Sequence, residues 1–454
     1  MKRLFKGEAY RPTGYGVTLN NCRSESVQTV PFVPHIPFIL SLNLKIIILK
    51  NMQTTPKGFR LHLGIFGRRN VGKSSLLNAL THQPTSIVSE TAGTTTDPVE
   101  KPMELLPIGP VLWIDTAGVD DEGALGELRI QKTKTVLDRT EIGIIVSTAS
   151  EPMTQFESEL LATFKDRSIP VIYVLNKIDV APPLSETINE LNLLKIPYVL
   201  TDAVTGRGIV DLHKALLQSV PDDFLVPPPI LIDLVPPDSM VVLVVPVDKE
   251  APKGRLILPQ VQTIREILDA HLSCVVVQDT QLANVLNRIS PPPALVVTDS
   301  QAFAKVAADV PQSIPLTSFS ILFARQKSDL GIMIEGTRAI KNLKTGSRVL
   351  IAESCTHHPI EEDIGTIKIP KLLQNFVGGE IEFKHVRGHE FLTDSFDCDL
   401  VIHCGACMWN RREMLSRIMY CQNANIPITN YGLAIAYTLG IFERAIKPII
   451  DVKN

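Results

Sequence analysis

The octet Gly67-Arg68-Arg69-Asn70-Val71-Gly72-Lys73-Ser74 constrains this chain more than any other stretch of its 454 residues. It satisfies the pattern G-x-x-x-x-G-K-S/T and sits in the setting that pattern needs. The apolar run Leu61 to Phe66 precedes it and reads as a buried strand, and a helical stretch, Ser75 to Leu80, follows. Such a turn points backbone N–H groups at an anion on a helix N-terminus. Gly67, Asn70, Val71, Gly72 and Ser75 are thus expected to line the phosphates. Lys73 would reach the outer phosphates as a point charge, and the Ser74 hydroxyl would bind magnesium.

Three further segments identify the base. Asp115-Thr116-Ala117-Gly118 follows the strand-like Val111 to Ile114, so Asp115 can hold magnesium through water while the Gly118 N–H faces the γ-phosphate. Asn176-Lys177-Ile178-Asp179 follows the apolar run Val171 to Leu175. A carboxylate at Asp179 accepts from the N1–H and the 2-amino group of guanine, whereas adenine would leave it unpaired. The nucleotide is therefore expected to be GTP, or GDP after hydrolysis. Between the first helix and the D-T-A-G strand, Gly93-Thr94-Thr95-Thr96-Asp97 supplies a threonine for the magnesium shell, Thr95 first and Thr94 next, in a loop ordered by the γ-phosphate. The stretch Asp202-Ala203-Val204-Thr205-Gly206-Arg207-Gly208 reads as the base-side loop, with Asp202 where serine is usual and the Ala203 backbone at the base. Hydrolysis would rest on Lys73, Ser74, Thr95, Asp115 and Gly118, with no protein nucleophile.

From about Phe59 to Leu217 these motifs resemble the translation-factor-like GTPases of the TrmE and Era group. That resemblance implies potassium as an activating ion, with Asn70 as its candidate ligand. Val119 stands where Ras-type enzymes carry a water-orienting glutamine, so intrinsic hydrolysis should be slow.

Composition narrows the rest. Hydrophobic content of 44% and charged content of 20% describe a globular chain with ample core, of a length for two to four domains. A net charge of −3 gives no electrostatic reason to expect nucleic acid as a partner. Seven cysteines are too few and too scattered for a disulfide framework, which suits a cytoplasmic setting. Residues 1–51 carry seven Lys or Arg against two Glu, and the apolar segment Phe38 to Leu49 is interrupted by Lys45. No membrane span is expected from so short and broken a run. The segment reads as a disordered extension or a mis-assigned start ahead of Met52, with an organelle-targeting segment as the other reading.

The expected organisation is α/β throughout. After the extension at 1–56, a GTPase domain occupies 57–225, an α/β middle domain suited to dimerisation occupies 226–315, and an α/β cluster-binding domain occupies 316–454. Val226-Pro227-Pro228-Pro229 and Pro311 to Pro315 mark the joints. In the middle domain, Met240 to Val245 and Cys274 to Val277 read as strands buried on both faces. Between them, Pro259 to Leu272 reads as a helix with Val261, Ile264, Ile267 and Leu268 on one face.

The second strong signal is Cys355-Thr356-His357 together with His403-Cys404-Gly405-Ala406-Cys407. Each group directly follows an apolar strand candidate, Val349 to Ala352 and Leu400 to Ile402. If those strands are parallel members of one sheet, both groups lie at its C-terminal edge, where ligands converge. Zinc would take two Cys and two His, or three Cys and one His; an iron–sulfur cubane held by three cysteines would leave one iron with an exchangeable ligand. Cys22, Cys274, Cys398 and Cys421 lack such neighbours and read as core or surface thiols, Cys398 being a distant candidate.

C-x-H followed by H-C-x-x-C in the last third of a chain with a TrmE-like GTPase resembles the [FeFe]-hydrogenase maturation GTPase family, HydF. The likeness extends to Ala251-Pro252-Lys253-Gly254-Arg255 and to Asn430 through Tyr437. It implies a [4Fe-4S] cluster on Cys355, Cys404 and Cys407, with a labile fourth position for which His357 or His403 are candidates and Glu353 or Asp394 alternatives. It also implies a homodimeric scaffold that receives a diiron precursor made with the radical-SAM maturases HydE and HydG and passes it to apo-[FeFe]-hydrogenase. The rival is a TrmE/Era-like GTPase with a structural zinc, acting in RNA or ribosome biogenesis.

Overall fold

The computed structural model describes residues 55–81, 98–116, 124–246, 256–354, 363–389, 391 and 397–451. Three sheets account for its strands. The first is six-stranded, in the order β2-β3-β1-β4-β5-β6: β1 Leu61–Phe66, β2 Val99–Leu105, β3 Gly109–Asp115, β4 Ile142–Thr148, β5 Val171–Asn176 and β6 Tyr198–Leu200. Only the β2–β3 pair is antiparallel. Both faces of this sheet are covered, so its inner strands are continuous apolar runs, and all six residues of β1 are buried. Leu61, Leu63 and Ile65 of β1 enter one core, with Leu76, Leu77 and Leu80 of α1 (Lys73–Thr81) and Leu212 and Leu216 of α5 (Ile209–Gln218). Phe66 enters the opposite core, with Val136 of α2 (Ala124–Arg139), Phe164 of α3 (Gln155–Asp166) and Leu191 of α4 (Ser185–Leu193).

The second sheet is all parallel, in the order β10-β9-β7-β8: β7 Met240–Val244, β8 Ser273–Val277, β9 Leu295–Thr298 and β10 Leu316–Ser318. Three expectations are corrected here. β10 pairs with β9, so the middle sheet runs past the boundary expected at 315. The Cys274 to Val277 run lies in an edge strand, not one covered on both faces, and Val276 is exposed. The helix runs Leu258–Asp269 (α6), and its buried face is Gln260, Thr263 and Ile267, while Val261 and Leu268 face outward. Polar groups on the inner face are satisfied locally: Gln260 accepts from the Ile257 N–H and Thr263 donates to Pro259 O. That lets them be buried at little cost beside Ile267, with Ile264 partly buried against the same core.

The third sheet, also parallel, has the order β12-β11-β13-β14: β11 Arg348–Glu353, β12 Glu382–Arg387, β13 Leu400–His403 and β14 Ile428–Asn430. One apolar core runs from Ile230 to Ile449 and joins the middle sheet to this one through α7 (Phe319–Lys327), whose Phe319, Ile321, Leu322 and Phe323 are all buried. The other face of the third sheet packs Leu400 and Ile402 against Ile369 and Leu373 of α8 (Ile369–Val377) and against α10 (Tyr431–Thr438). Alternation along β13 therefore sends successive side chains into different cores. Between β13 and β14 runs α9 (Arg411–Asn423), which packs on α2 of the first sheet.

Candidate functional site

The first site is built where β1 turns into α1. Gly72 has a φ of +95°, and a Cβ there would lie 2.4 Å from Asn176 Nδ2. Only glycine meets both demands, the left-handed backbone and the close approach. Asn70, exposed at the tip of the loop, also takes a positive φ. Val71 is buried and its carbonyl accepts from Asn176 Nδ2 at 2.9 Å. Asn176 Oδ1 in turn accepts from the Thr201 hydroxyl at 3.0 Å and the Ala203 N–H at 3.2 Å. One asparagine at the end of β5 thus ties the phosphate loop to the base-side loop. Asp202 closes that second loop, its carboxylate accepting from the Val204 N–H and the Thr205 hydroxyl. Lys177 has a φ of +62°, and Asp179 follows it on the exposed turn after β5.

Lys73 is buried, and its Nζ donates to Gly67 O at 2.8 Å and to Arg68 O at 2.7 Å, folding the loop around an ammonium. Ser74 Oγ donates to Asp115 Oδ2 at 2.9 Å. Asp115 is buried, which pushes its carboxyl up, and the nearby Lys73 charge and the Ser74 hydrogen bond pull it back down. Its Oδ1 has no hydrogen-bond partner among the described residues. A hydroxyl and a carboxylate in contact, with one buried oxygen left over, fit a hydrated magnesium ion. Arg68 braces the loop from outside: its Nε donates to the buried Glu157 and its Nη2 to Glu151, both at 2.8 Å. Ser75 lies in the first turn of α1. Thr94, Thr95 and Gly118 lie outside the described residues.

The second site is the C-terminal rim of the third sheet. β11 and β13 are adjacent and parallel, with Ala352 opposite His403. Past that pair, the Ser354 N–H lies 3.2 Å from Cys404 Sγ and the Ser354 hydroxyl 2.9 Å from it. The chain is thus delivered to the Cys404 thiol one residue before Cys355, which itself lies outside the described residues, as do His357 and Asp394. Ala406, at φ +49°, turns the loop between Cys404 and Cys407. Burial pushes the Cys404 thiol up, and the Ser354 donors pull it down by favouring the thiolate. One N–H donor on the sulfur, with a hydroxyl in reach that donates once the thiol is ionised, suits a metal-bound thiolate. Among the described residues no three His, Cys, Asp or Glu form a metal-holding group.

His403, expected as a possible fourth ligand, is corrected by the structure. Its alternate position on β13 sends the ring into the core opposite Cys404. Nε2 pairs with Arg417 Nη1 at 3.0 Å and Nδ1 with Cys404 O at 2.8 Å. Arginine only donates and a carbonyl only accepts, so Nδ1 carries the proton and no lone pair is left for a metal. Burial and the adjacent Arg417 charge hold this histidine neutral, pulled down to about 3. Glu353 is also engaged, accepting from Arg387 Nε and from the Tyr431 hydroxyl, both at 3.0 Å. Cys398 and Cys421 are buried thiols pushed up by burial to about 11 and about 12.

Sequence reasoning missed Ser354 and two buried cations around the C-x-x-C loop. The Arg417 guanidinium lies between the rings of Trp409, 3.9 Å away, and Phe391, 4.3 Å away. Lys327 is the last residue of α7 and donates into the loop's carbonyls. Nothing in the motif spacing signals either, because both come from other elements. The two sites also share a seam. Gly58, just ahead of β1, approaches the C-x-x-C loop so closely that a Cβ would lie 2.4 Å from Trp409 O. Asn410 caps α9 and donates to Arg139 O at 2.9 Å, and Tyr420 and Ser416 donate to the side chain and carbonyl of Asp138, each at 2.8 Å.

Residues 62–177 match the family described as 50S ribosome-binding GTPase. Residues 230–328 match the hydrogen maturase F dimerization domain, and 331–448 the hydrogen maturase F tetramerization domain. Relatives over the first segment include GTPase Der of Wolinella succinogenes, 34% identical over 179 residues, and the tRNA modification GTPase MnmE of Geobacillus thermodenitrificans, 34% identical over 175 residues. Each alignment covers 37% of this chain and 37% of the relative. The chain spans less than half the length of these curated relatives. An Aquifex aeolicus Era variant bound to GDP·AlF4− overlaps at 22% identity and a TM-score of 0.33, covering 48% of this chain and 93% of that one. Among the described residues no helix is long and apolar enough to cross a membrane. With two modules particular to hydrogen maturase F in order behind a GTPase module, the chain has the architecture of the hydrogen maturase F family and belongs to it.

Proposed function

We propose that this GTPase is a scaffold that holds a [4Fe-4S] cluster through Cys355, Cys404 and Cys407 and delivers a diiron unit to apo-[FeFe]-hydrogenase. The observation that carries the cluster site is the Ser354–Cys404 contact at the rim of two adjacent parallel strands. It supports a meeting of the three thiols, since Cys355 is the next residue. Three sulfur donors favour iron–sulfur or zinc, and the family's maturase role favours iron. What the cluster supplies when bound is an iron whose fourth ligand can leave, and at that iron the cargo would dock. This chain's part is to present the thiolates, donate hydrogen bonds to Cys404 from Ser354, and hold the loop.

GTP would bind with its phosphates on the 67–74 loop and guanine against Asp179, Lys177 and Ala203. Lys73, Ser74, Thr95 and Asp115 would position and neutralise charge around magnesium, with the Gly118 N–H at the γ-phosphate, so that water attacks in line. With no glutamine at 119, turnover would be slow, and potassium on Asn70 would raise it. The dimerization and tetramerization modules support a homo-oligomer, and HydE and HydG would be the radical-SAM sources of the cargo. We place the protein in the cytoplasm.

Anaerobic reconstitution of the full chain tests this reading. Iron, sulfide and a brown colour are expected, and Cys355→Ala, Cys404→Ala or Cys407→Ala should each abolish them while GTP hydrolysis persists. Zinc without iron would sink it. Hydrolysis measured in potassium against sodium tests Asn70, and equal rates would remove the cation's role.

A further inference from the structure

α7 ends at Lys327, whose ammonium is buried at the back of the C-x-x-C loop. Its Nζ donates to Trp409 O at 2.7 Å, to Cys407 O at 3.1 Å and to Ala406 O at 3.4 Å. On its other side it stands 4.3 Å from the centre of the Phe59 ring. A single cation therefore links the end of α7, the thiol loop and the segment leading into β1. Among the described residues no carboxylate pairs with it directly. An ammonium taken out of water keeps its charge at a cost that neutral carbonyls offset only in part. Arg417, the second buried cation at this loop, is likewise held by neutral groups, the His403 ring and Gly388 O. Lys327 thus places its charge beside both thiols and Arg417 lies near Cys404, with the Glu141 and Glu413 carboxylates acting on them from a distance, and an anion held by those thiols would meet that positive charge.

A thiolate-held iron–sulfur cluster is such an anion. Three thiolates outweigh the positive charge of the oxidised core, and one-electron reduction adds to the excess. We infer that Lys327 is a positioning residue for the cluster, holding the loop so that Cys404 and Cys407 face one ligand and placing a positive charge that favours the cluster's reduced state. This rests on the cluster reading above and adds the residue that tunes it.

The test uses the full chain reconstituted anaerobically with ferrous iron and sulfide. Midpoint potentials come from mediated dithionite titration followed by electron paramagnetic resonance, and folding is followed by circular dichroism. Lys327→Gln keeps two N–H donors for the carbonyls but loses the charge. It should bind iron near the wild-type amount, with a midpoint potential shifted to more negative values. Lys327→Met loses both roles and should bind at most half the wild-type iron. Lys327→Arg should return the potential towards wild type. Folded Gln and Met variants with wild-type iron content and potential would overturn the inference while leaving the cluster reading intact. A wild-type chain that takes up no cluster would overturn both. Should the Met variant unfold, the potential of the Gln variant still decides.

Discussion

Asn176 shows what a single side chain can do at a nucleotide site. It accepts and donates across two loops that are distant in sequence, and its Nδ2 lies where a Cβ on residue 72 would have to go. Asn176→Ala should leave the Val71 carbonyl, the Thr201 hydroxyl and the Ala203 N–H without that partner. A loss of about 1–3 kcal/mol in urea unfolding is expected, with weaker GDP binding. Gly72→Ala should abolish nucleotide binding, read by titration with a fluorescent GDP, because both the left-handed φ and the collision oppose it. Retained GDP affinity in that variant would argue against the loop geometry. At this scale the sequence was highly legible for the phosphate loop, where backbone conformation and ligand chemistry demand particular residue types. It was less legible for His403, whose place beside a C-x-x-C suggested a ligand. The period-two alternation of β13 turns it away, and a partner fourteen residues on takes its nitrogen.

Between elements, the seam of α2 with α9 carries the physics. α2 follows the D-T-A-G segment, and α9 follows the C-x-x-C loop. Asp138 near the end of α2 accepts from Arg167 Nη1 at 2.6 Å as well as from Tyr420. Beside them, Glu141 accepts from the His62 N–H at 2.8 Å, and burial pushes its carboxyl up to about 7. A folded-state value raised above the unfolded one binds protons more tightly in the native state. The stability this group contributes is therefore complete below its ordinary range near 4.5 and is lost as pH rises through 7. Glu141→Gln should remove that loss and gain roughly 1–3 kcal/mol over wild type at pH 8 but little at pH 4. Melting curves at the two pH values check it, and equal differences at both would refute the assignment. None of this seam was readable from periodicity. The buried face of α6 was hidden for a related reason: Gln260 and Thr263 satisfy their polar groups locally and so can be buried beside Ile267.

Over the whole molecule, the middle and third sheets share one apolar core from Ile230 to Ile449. They should unfold together, as a single calorimetric transition for residues beyond 230. A chain cut after Ser328 would strip the cover from Phe319, Leu322 and Phe323 and should aggregate, as gel filtration would show. Two transitions, or a monodisperse fragment, would contradict a common core. Local demands, which act within a few residues, were written in the linear chain: the phosphate loop between β1 and α1, the N-K-x-D turn after β5, the Cys404 thiol at the end of β13 and the α/β alternation. Long-range ones were not. That β10 completes the middle sheet, that His403 is spent on Arg417, and that Lys327 reaches the thiol loop all depend on elements far apart in sequence. Packing brings those groups together only when the core closes, and no spacing along the chain records it.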